Sequence, residues 1–372
     1  MSIRPKPEIA RVDDCVHGGP DFQELRSRGL RPEDVVDFSV STNPFSYPPE
    51  VKEALSSVVI DRYPDSESTE LREHLSVAKG IPMANILVGN GSTEIIRLIA
   101  LTYFGRGDPV LILKPTFGEY QIACQIAGAG ILEHWAKEEA GYAFNVAEIV
   151  ALIGKRRPKG IFICNPNNPT GQYLSQPEIT KILMAAPQSL VILDEAYCAF
   201  TEESWSSREL TTHGNIISVF SMTKDYALAG LRLGYAVASG EIIRSLRRVC
   251  PPWNVNAVAQ AAGLIALRNG KYLAQCEAKI REAKQFLMRE LTATGFTVLP
   301  SKTNFFLVKT GNGREFRSTL LGHGMMVRDC GSFGLAEYVR IAARTMPECR
   351  RLIEVVRELV GRGELHTGTG EK

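Results

Sequence analysis

Apolar and polar positions along this chain fall into blocks whose period keeps changing. Short runs that are mostly apolar occur at Ile86-Leu87-Val88, Val110 to Leu113, Ile131 to Trp135, Gly160 to Cys164, Leu190 to Leu193, Ile216 to Phe220 and Leu233 to Ala238. Such runs predict strands buried on both faces. Between them, apolar residues recur every three or four positions, predicting helices over 94–104, 119–127, 146–153 and 176–185. Upstream, helices are expected over 21–29, 49–59 and 70–78 and a strand over 35–39. Downstream, helical spacing covers 256–267, 272–292, 315–321 and 348–360, with strand-like runs at 296–299, 305–308 and 338–341. The alternation predicts an α/β fold, a mostly parallel sheet flanked by helices, with a smaller α+β domain. We read 1–60 as an N-terminal segment packing with the small domain, 61–270 as the large domain and 271–362 as the small one. Residues 363–372 are polar and Gly-rich, which predicts a disordered tail.

Open sheets of this kind bind ligands at the carboxyl ends of their strands, and the unusual motifs all fall there. Ser221-Met222-Thr223-Lys224 leaves one strand, with hydroxyls three and one residues before the lysine and Arg232 eight after it. A primary amine beside anion-binding groups suits a Schiff-base lysine for a phosphorylated aldehyde. Asp194 ends the strand Val191-Ile192-Leu193, 30 residues before Lys224. A carboxylate buried there needs a cationic partner. The rival reading, a Walker B strand, requires a Gly-x-x-x-x-Gly-Lys-Ser/Thr loop that the chain lacks. Gly89-Asn90-Gly91-Ser92-Thr93 joins a strand to a helix and forms a phosphate cradle, whereas Glu94 breaks the dinucleotide fingerprint. Asn168 in a Pro-locked loop and Tyr197 at a strand end can each bond a cofactor oxygen, and Phe117 can stack on a ring. Arg340, between Val339 and Ile341, calls for an anionic partner, and Arg328 suits a second anion or Asp329. His17 stands in a glycine turn with no metal partner near it in sequence, so no metal site is expected.

Composition narrows the partners. The 372 residues are 44% hydrophobic and 23% charged with a formal net charge of +2, ordinary values for a soluble protein. The charge argues against nucleic acid or an anionic membrane as the main partner. No apolar run reaches spanning length, and the first residues lead into no signal-peptide core, so a cytoplasmic protein is expected. Eight scattered cysteines without Cys-x-x-Cys predict buried free thiols in a reducing compartment.

Together Asn168-Pro169-Thr170-Gly171, Asp194-Glu195-Ala196-Tyr197, Ser221-x-Thr223-Lys224 and Gly230-x-Arg232 resemble the fold-type I pyridoxal-phosphate enzymes, the aspartate-aminotransferase-like superfamily, over about 17–360. The resemblance implies pyridoxal 5'-phosphate as cofactor, with Lys224 bonding it and shuttling a proton. It puts Asp194 on the pyridine nitrogen, and Asn168 and Tyr197 on the phenolate oxygen. It gives the phosphate to Gly91, Ser92, Thr93, Ser221, Thr223 and Arg232, and the ring face to Phe117, where relatives often carry Tyr or Trp. Tyr63 resembles the tyrosine that reaches the partner subunit's phosphate, implying a homodimer. The chain is similar to histidinol-phosphate aminotransferases and to threonine-phosphate decarboxylases. His17-Gly18-Gly19, Asn43-Pro44 and Val327-Arg328-Asp329-Cys330 favour the decarboxylase, with O-phospho-L-threonine as substrate. Transamination of histidinol phosphate with 2-oxoglutarate is the alternative. A non-catalytic pyridoxal-binding regulator is a third, disfavoured because no basic helical domain precedes the α/β lobe. Arg340, Arg328, Asn43 and His17 are the expected substrate contacts.

Overall fold

The computed structural model describes residues 3–12, 15–202 and 204–367. Among the described residues thirteen strands run in chain order. They are β1 (Val36–Asp37), β2 (Ile86–Gly89), β3 (Pro109–Lys114), β4 (Gly130–Trp135), β5 (Gly160–Cys164), β6 (Leu190–Asp194) and β7 (Ile216–Ser221), followed by β8 (Gly234–Ala238), β9 (Thr297–Val298), β10 (Phe305–Lys309), β11 (Met325–Met326), β12 (Arg328–Asp329) and β13 (Tyr338–Ala342). Seven form one sheet in the order β2-β8-β7-β6-β5-β3-β4, and four form a second in the order β12-β13-β10-β9. β1 pairs with β11, tying the N-terminal segment to the C-terminal part.

Apart from its edge strand β4, which is exposed or half-buried, the large sheet is buried on both faces, as its apolar strands require. Ile161 and Ile163 of β5 enter one core with Leu111, Val191 and Ile179, while Phe162 and Cys164 point into the opposite core with Ile112, Ile192 and Tyr120. The side-chain period of two is thus filled with apolar groups on each side. In the second sheet Phe306, Val308, Val339 and Ile341 pack on Leu287 and Leu291 of the helix Gly270–Ala293 and on Leu352 and Val356 of the helix Met346–Gly361. Leu365 is buried in the same core. The ordered chain therefore runs past 362, where a tail was expected, and 368–372 lie outside the described residues.

The sheet is mostly parallel, with one exception that matters for the site. β8 runs antiparallel to β2 and β7, with Gly234 paired to both Gly89 and Ser221. The chain enters β8 where its neighbours end. Arg232, just before β8, therefore lies over Gly91 after β2 and lines the same cavity as Thr223 after β7. Gly234 is required there, since a Cβ would come within 2.8 Å of the Phe220 carbonyl oxygen and the Ser92 nitrogen. No helix among the described residues is long and apolar enough to cross a membrane. All eight cysteines are free, five buried and three, Cys15, Cys198 and Cys250, partly exposed where burial was expected.

Candidate active site

A cavity of about 1090 Å³ opens at the carboxyl ends of β3, β5, β6 and β7. Lys224, Asp194, Tyr197, Asn168, Phe117 and Thr223 line it. So do Ser92, Thr93, Arg232, Arg328, Arg340 and His17, from segments up to 323 residues apart in sequence. Gly91 and Ser221 stand just behind its wall, and Ser221 Oγ lies 2.6 Å from Thr223 Oγ1.

The anion end is built by backbone geometry. The helix Gly91–Tyr103 starts beneath it, and the side chain of its cap residue Asn90 makes no capping bond, which leaves first-turn N–H groups for a ligand. Gly91 has φ +77°, and a Cβ would fall 2.8 Å from Arg232 Nη2. Only glycine lets the guanidinium close over this turn. An uncapped helix start, two hydroxyls and an arginine on one point are the donor set of a phosphate.

Asp194 sits at the opposite end and is buried. Its Oδ2 accepts from Tyr120 Oη at 2.7 Å and its Oδ1 from the Ala196 N–H at 3.0 Å. Burial pushes its carboxyl pKa up; the Tyr120 bond and the charge of Lys224 pull the other way. Lys224 is reachable from the cavity yet well surrounded, and its Nζ lies 6.0 Å from the centroid of the Tyr197 ring. Loss of water, then the Arg340 and Arg232 charges, bring its amine down to about 8. Desolvation lifts the Tyr197 phenol to about 12, so it stays a donor at neutral pH.

A third group of side chains is cationic. Arg340 is buried; Nη1 donates to Asn168 Oδ1, Nη2 to the Ser39 carbonyl at 2.6 Å, and its Nε has no partner among the described residues. Arg328 donates from Nη2 to the Val16 carbonyl at 2.8 Å and to Ser332 Oγ at 2.7 Å. The two arginines are register partners on β12 and β13. Neither forms an ion pair with a carboxylate among the described residues, so Arg328 does not pair with Asp329. His17 Nε2 bonds Glu119 Oε1 at 3.2 Å, and Glu119 Oε2 accepts from Arg97 at 3.1 Å.

Two expected residues stay away from the cavity. Asn43 is spent on the backbone: its N–H donates to the Lys224 carbonyl at 2.7 Å and its amide to the Asp225 carbonyl at 2.9 Å. It therefore shapes the lysine turn and touches no substrate space. Tyr63 lies on the surface, stacked on Trp253 with centroids 4.3 Å apart. Tyr120 and Glu119 were missed in the sequence. The only signal was their place at the start of a helix, two and three residues past Phe117, whose ring meets Tyr120 edge-on at 5.6 Å.

Glu195 gives a separate, testable effect. It is buried, and its carboxylate accepts from the Ser207 hydroxyl, which lies 2.8 Å from Ser218 Oγ. Desolvation pushes its pKa up to about 7 against the serine hydroxyls. The folded state thus holds a proton that the unfolded chain releases near pH 4.5. The stability this gives is present at pH 4 and is lost as pH rises through 7. Glu195→Gln, which cannot ionise, is expected to melt like the wild type at pH 5 and above it at pH 8, by on the order of 2 kcal/mol. Thermal melts across that range check this; parallel pH curves would remove the assignment.

Comparison with known proteins identifies the family. The family model for aminotransferase class I and II matches residues 33–356. Histidinol-phosphate aminotransferase of Symbiobacterium thermophilum is 33% identical over 95% of this chain and 98% of its own length. That of Thermoanaerobacter pseudethanolicus is 35% identical over 85% of this chain and 91% of its own. Among solved structures, histidinol-phosphate aminotransferase from Sinorhizobium meliloti, in complex with pyridoxal-5'-phosphate, superposes with TM-score 0.89 over 97% of this chain and 99% of its own. At 22% identity it attests the fold. L-threonine-O-3-phosphate decarboxylase from Porphyromonas gingivalis is 27% identical, with TM-score 0.78 over 87% of this chain and 99% of its own. The curated relatives carry the aminotransferase name, and this overturns the expectation of a phosphothreonine decarboxylase. The motifs that had favoured it, such as His17-Gly18-Gly19, say nothing of which bond breaks. This chain belongs to the class I and II aminotransferases.

Proposed function

We propose that the chain moves the amino group of histidinol phosphate to 2-oxoglutarate with pyridoxal 5'-phosphate as cofactor, in the cytoplasm and as a homodimer. The observation that carries the substrate half is the pair Arg328 and Arg340. Two buried guanidinium groups on neighbouring strands, both lining the cavity and lacking a carboxylate, repel one another unless an anion lies between them. The phosphate of one substrate and a carboxylate of the other supply it in turn. The names of the curated relatives support the same choice.

The donor sets fit the cofactor. Ser92, Thr93, Ser221, Thr223 and Arg232 would hold its phosphate, Asp194 its ring nitrogen, Asn168 and Tyr197 its ring oxygen, and Phe117 its face. Bound there, pyridoxal phosphate supplies an aldehyde for the amine and an electron sink for the carbon that carries it. The remaining work falls to the protein. Asp194, clamped by Tyr120, offers a negative charge at a buried point. Lys224, with its amine near 8, presents enough free base at neutral pH to take a proton from the substrate carbon and return it. Arg340, fixed by Ser39 and Asn168, orients the carboxylate bidentately. Arg328, His17 and Arg97 form the cationic side for the phosphate. Tyr63 and Trp253, 76% and 45% exposed, make an aromatic surface that a second copy would cover.

The test is direct. Purified enzyme with histidinol phosphate and 2-oxoglutarate is expected to form glutamate. No glutamate, or carbon dioxide from O-phospho-L-threonine in its place, overturns the reading.

A further inference from the structure

We propose that Cys15, His17 and Glu119 form a binding site for a borderline divalent cation, zinc above all, on the exposed side of the substrate cavity. The expectation of no metal partner near His17 passed over Cys15, two residues upstream, because the third ligand, Glu119, lies 102 residues away. In the fold the three ligand atoms all lie within 4.8 Å of one another. Thiolate, imidazole and carboxylate are the donors that zinc takes, and three protein ligands with water in the fourth place are the pattern of an open site. Bonds of about 2.0–2.3 Å to a tetrahedral ion put ligand atoms roughly 3.3–3.8 Å apart, so closure needs each pair to approach by about 1.5 Å at most. The side chains that must move are free to do so: His17 is 52% exposed and Cys15 is partly exposed.

The fixed member is the buried one. Glu119 is held at Oε2 by Arg97, which leaves Oε1 aimed at His17. The Cys15 sulfur packs on Gly118, 2.8 Å from the place a Cβ would occupy. Glycine at 118 is what lets the sulfur come alongside Glu119. Carboxylate and thiolate together balance the charge of a divalent ion, while Arg97 keeps to the far oxygen.

His17 also lines the substrate cavity beside Phe117, with ring centroids 5.9 Å apart. A metal on His17 removes it from the phosphate. Zinc should therefore slow amino transfer in competition with the phosphorylated substrate, a consequence that rests on the function proposed above. The binding itself does not.

The experiment uses chelator-washed holoenzyme. After addition of zinc chloride and desalting, the wild type is expected to keep about one zinc per chain more than Cys15→Ala or His17→Ala. Cobalt(II) in place of zinc should give the wild type a thiolate-to-cobalt charge-transfer band that Cys15→Ala lacks. With each enzyme referred to its own zinc-free rate, zinc should inhibit the wild type at least about tenfold more than Cys15→Ala. Equal zinc in the wild type and both variants, or a cobalt spectrum unchanged by Cys15→Ala, overturns the site. The cobalt band present with no amino transfer to inhibit upholds the site and rejects the function.

Discussion

Lys224→Ala is expected to lower turnover by at least about 10⁴-fold, because it removes both the covalent attachment and the proton carrier. Borohydride reduction, which should fix the cofactor to the wild type and raise its mass, should leave the variant unlabelled. A labelled variant, or turnover within tenfold of the wild type, would place the chemistry elsewhere. The pH dependence follows from the amine brought down to about 8. At pH 7 roughly a tenth of it is free base, far more than an ordinary lysine offers. Recombination of the cofactor-free protein with pyridoxal phosphate should therefore speed up as pH rises toward 8 and then level off. A rate still climbing steeply at pH 10 would mean that the amine titrates like an exposed one.

The second large effect is at Asp194, where activity and stability should part company. Asp194→Asn keeps the shape and the Tyr120 contact but removes the charge. Turnover is expected to fall about 10³-fold, on the scale of losing one preorganised electrostatic group. The cofactor-free protein should melt higher. Burial raises the folded-state pKa of Asp194, so the stability linked to its proton is full below about pH 4 and lost as pH rises through the folded value. At pH 7 the ionised carboxylate is a liability that asparagine relieves. Calorimetry of both proteins without cofactor checks this. Equal activity, or a lower melting temperature for the variant at pH 7, would show that Asp194 is not the strained, charge-presenting group described.

Much of this site could be read before the fold was seen, for a physical reason. The residues proposed to hold the cofactor lie within a few positions of strand ends, and strand ends are marked by abrupt changes from apolar runs to Gly, Asn, Ser and Thr. Asp194, Lys224, Asn168 and the Gly91 turn were visible in that way. The direction of β8 was not. A strand buried on both faces has the same apolar pattern read either way, so Leu233 to Ala238 carried no sign of running backwards. Tyr120 was invisible because its partner, Asp194, lies 74 residues on, joined only by packing. Asn43 was misread because a polar residue beside proline looks alike whether it serves a ligand or a neighbouring turn; its bonds to the Lys224 and Asp225 carbonyls decide the matter. The arginines were expected singly. That they stand opposite each other on β12 and β13 is a matter of register, which the sequence did not express.

The backward strand has one more consequence. Because β8 joins β2 to β7 edge to edge, the segments carrying Ser92, Arg232 and Thr223 belong to one hydrogen-bonded slab. Arg328 and Arg340 belong to another. The two slabs meet at the cavity, where Arg340 reaches across to Asn168, while Arg328 stays with Val16 and Ser332. On the proposed assignment, substitutions at Arg328 are expected to recut the choice of amine while the cofactor stays where it is, so new substrate preferences could arise in descendants of this fold without passing through an ancestor that has lost its chemistry.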